Sequence, residues 1–495
     1  MLKWSDEVFF NNQVDYCVGT GRLGLGLAKE YQEQLKKVQE VIGFKHIRGH
    51  GLFHEDLSIY HEYEEKGVKK VEYNFTYVDR LFDSYLELNI KPFLELGFMP
   101  KQMASGKQAI FYWQGNTTPP RDYKLWTDML KAFLTHMINR YGEEEVLSWP
   151  IEVWNEPNLP GFWEKADMQE YFKLFKESFL AIKEVNPKFM VGGPAICGVR
   201  DEEWIKEFME FVSKNKLNID FVTRHHYTVE FPERKGRYDY HKLMVAENGF
   251  DNLQTTRDIV DSYKKYKGIP IHITEFNSSY SPVGVIHDTN LNAAVLAEQL
   301  SRLGDMNDSY SYWTFGDVFE EQGVPYSLFH GGFGLLANGG IEKPTFWTFA
   351  FFKNLKDKAA HAVERTANSV IVAKEDGGFA GVLWNKEHKG KKNFDLEFEL
   401  PEGEYVLVTK TVDEETTNPL KAWHDMGQPM QPTKEQTEFL KETAKPFVAT
   451  KRISSNGAVK EALSVKKHGI VYFEITKINP QNDRGYDYKK VISTY

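Results

Sequence analysis

The sequence predicts an α/β fold: a (β/α)8 TIM barrel followed by a C-terminal β-sandwich domain. Three observations predict it. From about residue 14 to about residue 355, eight short apolar runs alternate with longer stretches whose apolar positions recur at three and four. After about Lys356 the style changes to short β-rich runs separated by Gly, Asn, Asp and Pro, the spacing of a sandwich. The chain has 495 residues, too many for one simple domain. The expected domains are therefore a barrel over 1–355 and a β-sandwich with a C-terminal tail over 356–495. The first thirteen or so residues are expected to pack on the β domain.

The apolar runs read as strands lie near Tyr16–Val18, Phe44–Ile47, Pro92–Leu96, Ile151–Val153, Phe189–Val191, Phe221–Val222, Ile271–Ile273 and Tyr310–Trp313. Helical spacing marks Tyr31–Val41, Tyr123–Tyr141, Met168–Val185, Glu202–Val212, Leu253–Tyr266 and Asn292–Leu303. Eight such units suit a barrel with enlarged loops, whereas an open doubly wound sheet needs fewer strands. Beyond the barrel, β-runs are expected at Ser369–Ala373, Phe379–Trp384, Phe394–Leu400, Tyr405–Thr411, Phe447–Ile453 and Ile470–Ile475. The polar, Pro-dotted stretch Asp413–Lys445 is expected to be a long loop. The tail from Asn479, with Tyr486, Tyr488 and Tyr495, is expected to pack on a neighbouring subunit.

Composition narrows the function. Hydrophobic residues are 41% and charged residues 27%, ordinary for a globular chain, so disorder is excluded as the main state. A net charge of −10 lacks the positive field that phosphate backbones demand, so no nucleic-acid partner is expected. Two cysteines, Cys17 and Cys197, exclude a disulfide framework and a cysteine-rich metal site. Aromatics are 14% of the chain, which suits a cleft that stacks rings on the C–H faces of sugars. There is no secretory h-region and no run of eighteen apolar residues, so a cytoplasmic protein without a membrane partner is expected.

The motifs supply the chemistry. Gly19-x-Gly21-x-x-Gly24 follows a strand and resembles a dinucleotide fingerprint. That motif wants an acidic residue closing the second strand, and here the strand ends Ile47-Arg48-Gly49-His50. A Gly-rich first barrel loop is the better reading, and no cofactor is expected. The strongest signal is Ile151-Glu152-Val153-Trp154-Asn155-Glu156-Pro157. Pro157 cannot continue a ladder, so Glu156 sits where a strand stops, at the catalytic mouth of a barrel. Glu152, inside the strand, reads as structural. Ile271-His272-Ile273-Thr274-Glu275 repeats the pattern 119 residues later, three units on. Two carboxylates facing one bowl are the machinery of glycoside hydrolysis.

Other groups fall at the same rim: Arg224-His225-His226-Tyr227, Arg48-Gly49-His50, and Trp313-Thr314-Phe315 followed by Glu320-Glu321. His50, His54, His225 and His226 could be assembled into a zinc site, but the His-x-His of metal-dependent barrels and any His-Glu-x-x-His are missing. No metal is expected. Gly-x-Ser-x-Gly and phosphate-loop motifs are also missing.

On these residues, together with Thr274-Glu275-Phe276-Asn277 and Leu328-Phe329-His330-Gly331-Gly332-Phe333-Gly334-Leu335, the chain resembles glycoside hydrolase family 39, the bacterial β-xylosidases, over nearly its whole length. The resemblance implies Glu156 as general acid/base, Glu275 as nucleophile, and Asn155 as a ligand of the sugar 2-hydroxyl. It further implies that His50, His225, Tyr227, Trp313 and one of Glu320 or Glu321 line the sugar subsite. Family members are often tetramers, so a homo-oligomer acting on a xylo-oligosaccharide is implied. Glu156 is expected to have a raised pKa from burial and from the charge of Glu275, and Glu275 to need donors such as Tyr227 and Asn155. The competing readings are an α-L-iduronidase-like enzyme, which needs a cation for the uronate, and a non-catalytic carbohydrate-binding barrel.

Overall fold

The computed structural model describes residues 1–481 and 485–493. Its barrel strands are β1 (Cys17–Arg22), β2 (His46–His50), β3 (Lys91–Pro92 and Leu94–Leu96), β4 (Ile151–Val153), β5 (Val191–Ile196), β6 (Phe221–Tyr227), β7 (Ile271–Asn277) and β8 (Ser309–Tyr312). The hydrogen-bonded order runs from Lys91–Pro92 through β2, β1, β8, β7, β6, β5 and β4 to Leu94–Leu96. It begins and ends on the two halves of β3, so the ring closes and leaves no free edge. Every pairing in the ring is parallel, so all C-terminal strand ends share one rim.

The helices are α1 (Lys29–Val41), α2 (Thr76–Glu87), α3 (Tyr123–Tyr141), α4 (Met168–Val185), α5 (Asp201–Lys214), α6 (Ala246–Ser262), α7 (Asn290–Arg302) and α8 (Pro344–Lys358). Their starts follow local chemistry. Asp122, Asp167 and Thr289 accept backbone N–H bonds at the first turns of α3, α4 and α7, and Pro344 opens α8. The apolar spacing predicts α6 only from Leu253 and passes over α2 and α8. Helix α7 is buried along nearly its whole length. The reason is position: Glu298 pairs with Lys386, and the Ser301 carbonyl accepts from Arg365, both on the β domain.

That domain is an antiparallel sheet of β9 (Ala359–Thr366), β10 (Ser369–Lys374), β11 (Phe379–Asn385), β12 (Lys391–Val412), β13 (Phe447–Lys466) and β14 (Gly469–Ile478), ordered β9-β10-β11-β14-β12-β13. In place of the separate strands expected of a sandwich, it is one continuous six-stranded sheet. The runs Phe394–Leu400 and Tyr405–Thr411 are one strand, with a register shift between Leu400 and Gly403 where Pro401 cannot donate. The outer half of β12 brings Phe398 to 5.0 Å from Phe379 and 5.8 Å from Phe473, so the long hairpin packs back on the sheet. The first residues lie on this domain: Leu2 pairs with Glu397 and Glu399, Trp4 Nε1 donates to the Lys374 carbonyl, and the Val8 N–H to that of Ala362.

The stretch expected to be a long loop contains two helices, α9 (Pro419–Asp425) and α10 (Lys434–Thr443). Asn418 caps the first, and Thr433 with Gln436 forms a capping box on the second. Their Trp423 and Leu440 form a small apolar core with Leu328 and Phe329 of the loop after β8. Of the tail, Tyr486 and Tyr488 are exposed, and Tyr495 lies outside the described residues.

Candidate active site

The short strand β4 ends in an unusual backbone. Trp154 and Glu156 have φ of 74° and 44°, a left-handed conformation that costs free energy for residues with a Cβ. Neighbouring contacts hold it. The Glu156 N–H donates to the Ala195 carbonyl at 2.8 Å, and Asn158 Nδ2 donates to the carbonyls of Cys197 and Val199. Trp154 is fully buried and donates its indole N–H to the Phe162 carbonyl. The turn thus swings the Glu156 carboxyl into the bowl. Glu275 comes from β7, where it is the register partner of His225 on β6.

The two carboxyl groups face each other. Oxygens of Glu156 and Glu275 and a ring nitrogen of His225 all lie within 4.8 Å of one another. His225 Nδ1 is 2.8 Å from Glu156 Oε1. Burial pushes the Glu156 carboxyl up to about 7 against the pull of His50 and Arg48. Burial is the largest cause of this rise, and the charge of Glu275, expected to add to it, is not among the contributors.

Glu275 is held by two donors. Arg48 Nη1 donates to Oε1 at 2.9 Å and the Tyr227 hydroxyl to Oε2 at 2.7 Å. Arg48 is completely buried and serves as a hub. Its Nε donates to Glu152 at 2.6 Å and its Nη2 to Asn155 Oδ1 at 2.8 Å, and Nη2 also lies 3.0 Å from Glu95 Oε2. Burial opposes its charge, but the carboxylates around it, Glu152 foremost, hold its pKa above the ordinary arginine value. Asn155, expected to donate to Glu275, makes no hydrogen bond to it and accepts from Arg48 through Oδ1. Glu152 is structural in the sense expected: both its oxygens are taken, one by Arg48 and one by Thr274.

The remaining candidates separate. His50 packs 4.7 Å from the Trp313 ring, with Nε2 3.8 Å from Glu275. Trp313 lies against Gly19, where a Cβ would come within 2.3 Å of its ring, and Phe319 lies against Gly21 in the same way. That accounts for the glycine run without a nucleotide. Of the histidine pair, His225 enters the bowl and His226 turns outward to Gln299. His54 sits against Trp113 and pairs with Asp56, away from the carboxylates. The four histidines weighed as zinc ligands are therefore not brought together. Of the acidic pair, Glu320 is paired with Arg22 at 2.6 Å. Glu321 lines a cavity of about 220 Å³ at the mouth with Phe319, Arg234, Arg237 and Tyr326. Burial, then the charges of Glu275 and Glu156, push its carboxyl well up.

Sequence reading gave no role to Arg48 and did not notice Glu95. The available signal was the same for both: a charge inside an otherwise apolar strand, which is seldom buried unless partnered. A parallel barrel that brings two glutamates from separate strands to one bowl at its C-terminal rim defines a glycoside hydrolase. The chain belongs to glycosyl hydrolases family 39, whose family model matches residues 3–460. It is 46% identical to the β-xylosidase of Geobacillus stearothermophilus over 95% of this chain and 94% of that one. Identity to the β-xylosidase of Caldicellulosiruptor saccharolyticus is 32% over 92% and 93%. A monomeric β-xylosidase from Caulobacter crescentus CB15 superposes with a TM-score of 0.87 at 31% identity, covering 97% of this chain and 99% of that one.

Proposed function

We propose that this protein is a retaining, exo-acting β-xylosidase that releases xylose from the non-reducing end of short β-1,4-xylo-oligosaccharides. The observation that carries the mechanism is the approach of the two carboxyl groups to within 4.8 Å. Retaining enzymes hold their carboxyls about 5–5.5 Å apart, whereas inverting ones need about 6.5–9.5 Å to admit a water. The family relatives support the sugar.

Glu156 protonates the glycosidic oxygen while Glu275 attacks the anomeric carbon, and the C–O bond to the leaving sugar breaks. Glu156, now a carboxylate, takes a proton from water, whose oxygen displaces Glu275 and restores the β-configuration. Asn155, His50, His225, Tyr227, Trp313 and Glu321 line the sugar. Glu320, held by Arg22, does not reach it. The exposed tail aromatics support assembly into a homo-oligomer.

The test is a panel of aryl xylosides, arabinosides, glucosides and iduronides, with proton NMR of the first-formed anomer. Xylosides should be hydrolysed fastest, to β-xylose first. An α-anomer would end the retaining assignment, and a faster glucoside the xylose one. Glu275→Ala should slow every substrate by at least ~10⁴-fold, as removal of a covalent nucleophile does elsewhere. Glu156→Ala should spare a dinitrophenyl xyloside in its first step and cost a poor leaving group ~10²–10⁴-fold. Azide should then speed turnover and yield the β-xylosyl azide. Equal damage to both substrates, unrelieved by azide, would remove Glu156 from its role.

A further inference from the structure

Glu95 has no part in the chemistry above, yet it lies one contact from it. It is the middle residue of Leu94-Glu95-Leu96, its neighbours join the apolar core, and its side chain is fully buried. One oxygen, Oε2, contacts both Arg48 Nη2 at 3.0 Å and His50 Nδ1 at 2.7 Å; the other, Oε1, is buried without a hydrogen-bond partner. The far nitrogen of His50, Nε2, faces Glu275 Oε1 at 3.8 Å. A bare Nε2 lone pair would there oppose the lone pairs of a carboxylate, so the proton belongs on Nε2. In a neutral imidazole Nδ1 must then accept, and the group 2.7 Å from it must donate.

We propose that Glu95 is a positioning residue whose carboxyl stays protonated and donates to His50 Nδ1, so that His50 presents an Nε2–H donor to the sugar hydroxyl lying over Glu275. The local charges favour this state. Arg48 already faces the Glu152 and Glu275 carboxylates, and a third anion in the same dry cluster would be left uncompensated. Burial pushes Glu95 up to about 8, with Arg48 opposing, and burial pushes His50 down to about 4, so the imidazole is neutral. The sugar contact rests on the xylosidase reading; the proton arrangement does not.

The first measurement needs no substrate. In ¹⁵N-histidine-labelled enzyme below neutral pH, the resonances lost in His50→Ala should report an Nε2–H tautomer. Glu95→Gln should convert them to Nδ1–H, because the amide oxygen is needed by Arg48 and can only accept. An Nδ1–H tautomer in the unaltered protein would overturn the proposal. The second measurement is a double-mutant cycle on kcat/KM for the best aryl glycoside of the panel. Glu95→Gln should cost about ten- to a hundred-fold alone, and less than about two-fold when His50 is already alanine. The same loss in both backgrounds would mean that Glu95 acts through the fold or through Arg48, and would also overturn it. Failure of the xylosidase reading shows separately, as absence of xyloside hydrolysis.

Discussion

The two ends of the barrel solve the same problem in opposite ways. The closed end is plugged by Cys17, Phe93 and Phe221 with Tyr16 and Met190 packed on them. Among its imidazoles, His272 is stacked 5.6 Å from Tyr16 and has Nδ1 2.7 Å from Ser309 Oγ, while His46 packs 4.9 Å from the same Tyr16 ring. The open end buries Arg48, four glutamates and two histidines in one connected network. Burial pushes His272 to about 3 and His50 and His225 to about 4, so depressed basicity alone marks no active site. The difference is company. His272 meets a hydroxyl, whereas His50 and His225 meet carboxyl groups with which a proton can be exchanged.

The comparison breaks most sharply at Arg48. Arg48→Met strands three buried carboxyl groups, and should cost about 3–5 kcal/mol of stability with loss of activity. His272→Leu at the other end should cost only about 1 kcal/mol and leave kcat/KM within about two-fold. Urea midpoints and initial rates of the two variants measure this, and equal destabilisation would erase the contrast.

A pH series sharpens it. kcat/KM should fall as pH rises through about 7, where Glu156 loses the proton it must donate. Stability should be limited from both sides. Glu156 and Glu95 have folded pKa values of about 7 and 8, above the ordinary 4.5. The folded form therefore holds protons that the unfolded form has lost, and this contribution disappears as pH rises through 7–8. His272, His50 and His225 are depressed below 6.5, so the unfolded form binds more protons and stability falls as pH drops below 6.5. In melting curves, Glu95→Gln should flatten the alkaline limb and His272→Leu part of the acid limb. A change on the wrong limb would contradict the assignment.

The smallest effect should come from outside both ends. Deleting residues 480–495 should leave kcat/KM unchanged and give a lighter particle in light scattering, because Tyr486, Tyr488 and Ile492 are exposed and belong to none of the site elements above. An unchanged mass would remove the tail from assembly.

The barrel was legible because its code is local. Apolar runs ending on Glu156 and Glu275 place both carboxyls at the rim once the strands are counted. Helices α3 and α4 match their predicted bounds because apolar spacing and an aspartate cap agree. Helices α9 and α10 carry equally local caps at Asn418 and Thr433, but they are short, and prolines around them read as loop. The Arg48 network was not legible for a different reason. Its partners come from β3, the end of β4 and β7, and nothing along one strand says which charge will meet which. Likewise the choice between Glu320 and Glu321 rests on Arg22, nearly three hundred residues away in the chain.

The glycines at the end of β1 have a further consequence. Gly19 and Gly21 hold no chemistry, and each is a hollow shaped by one aromatic ring from the loop after β8. The first strand is a mould, and the platform formed by Trp313 and Phe319 is its casting. A larger side chain at position 19 would meet the Trp313 ring at 2.3 Å and displace it, and with it the surface proposed to line the sugar. Libraries that vary only the residues proposed to touch substrate would pass over this position, although it sets where the Trp313 ring lies.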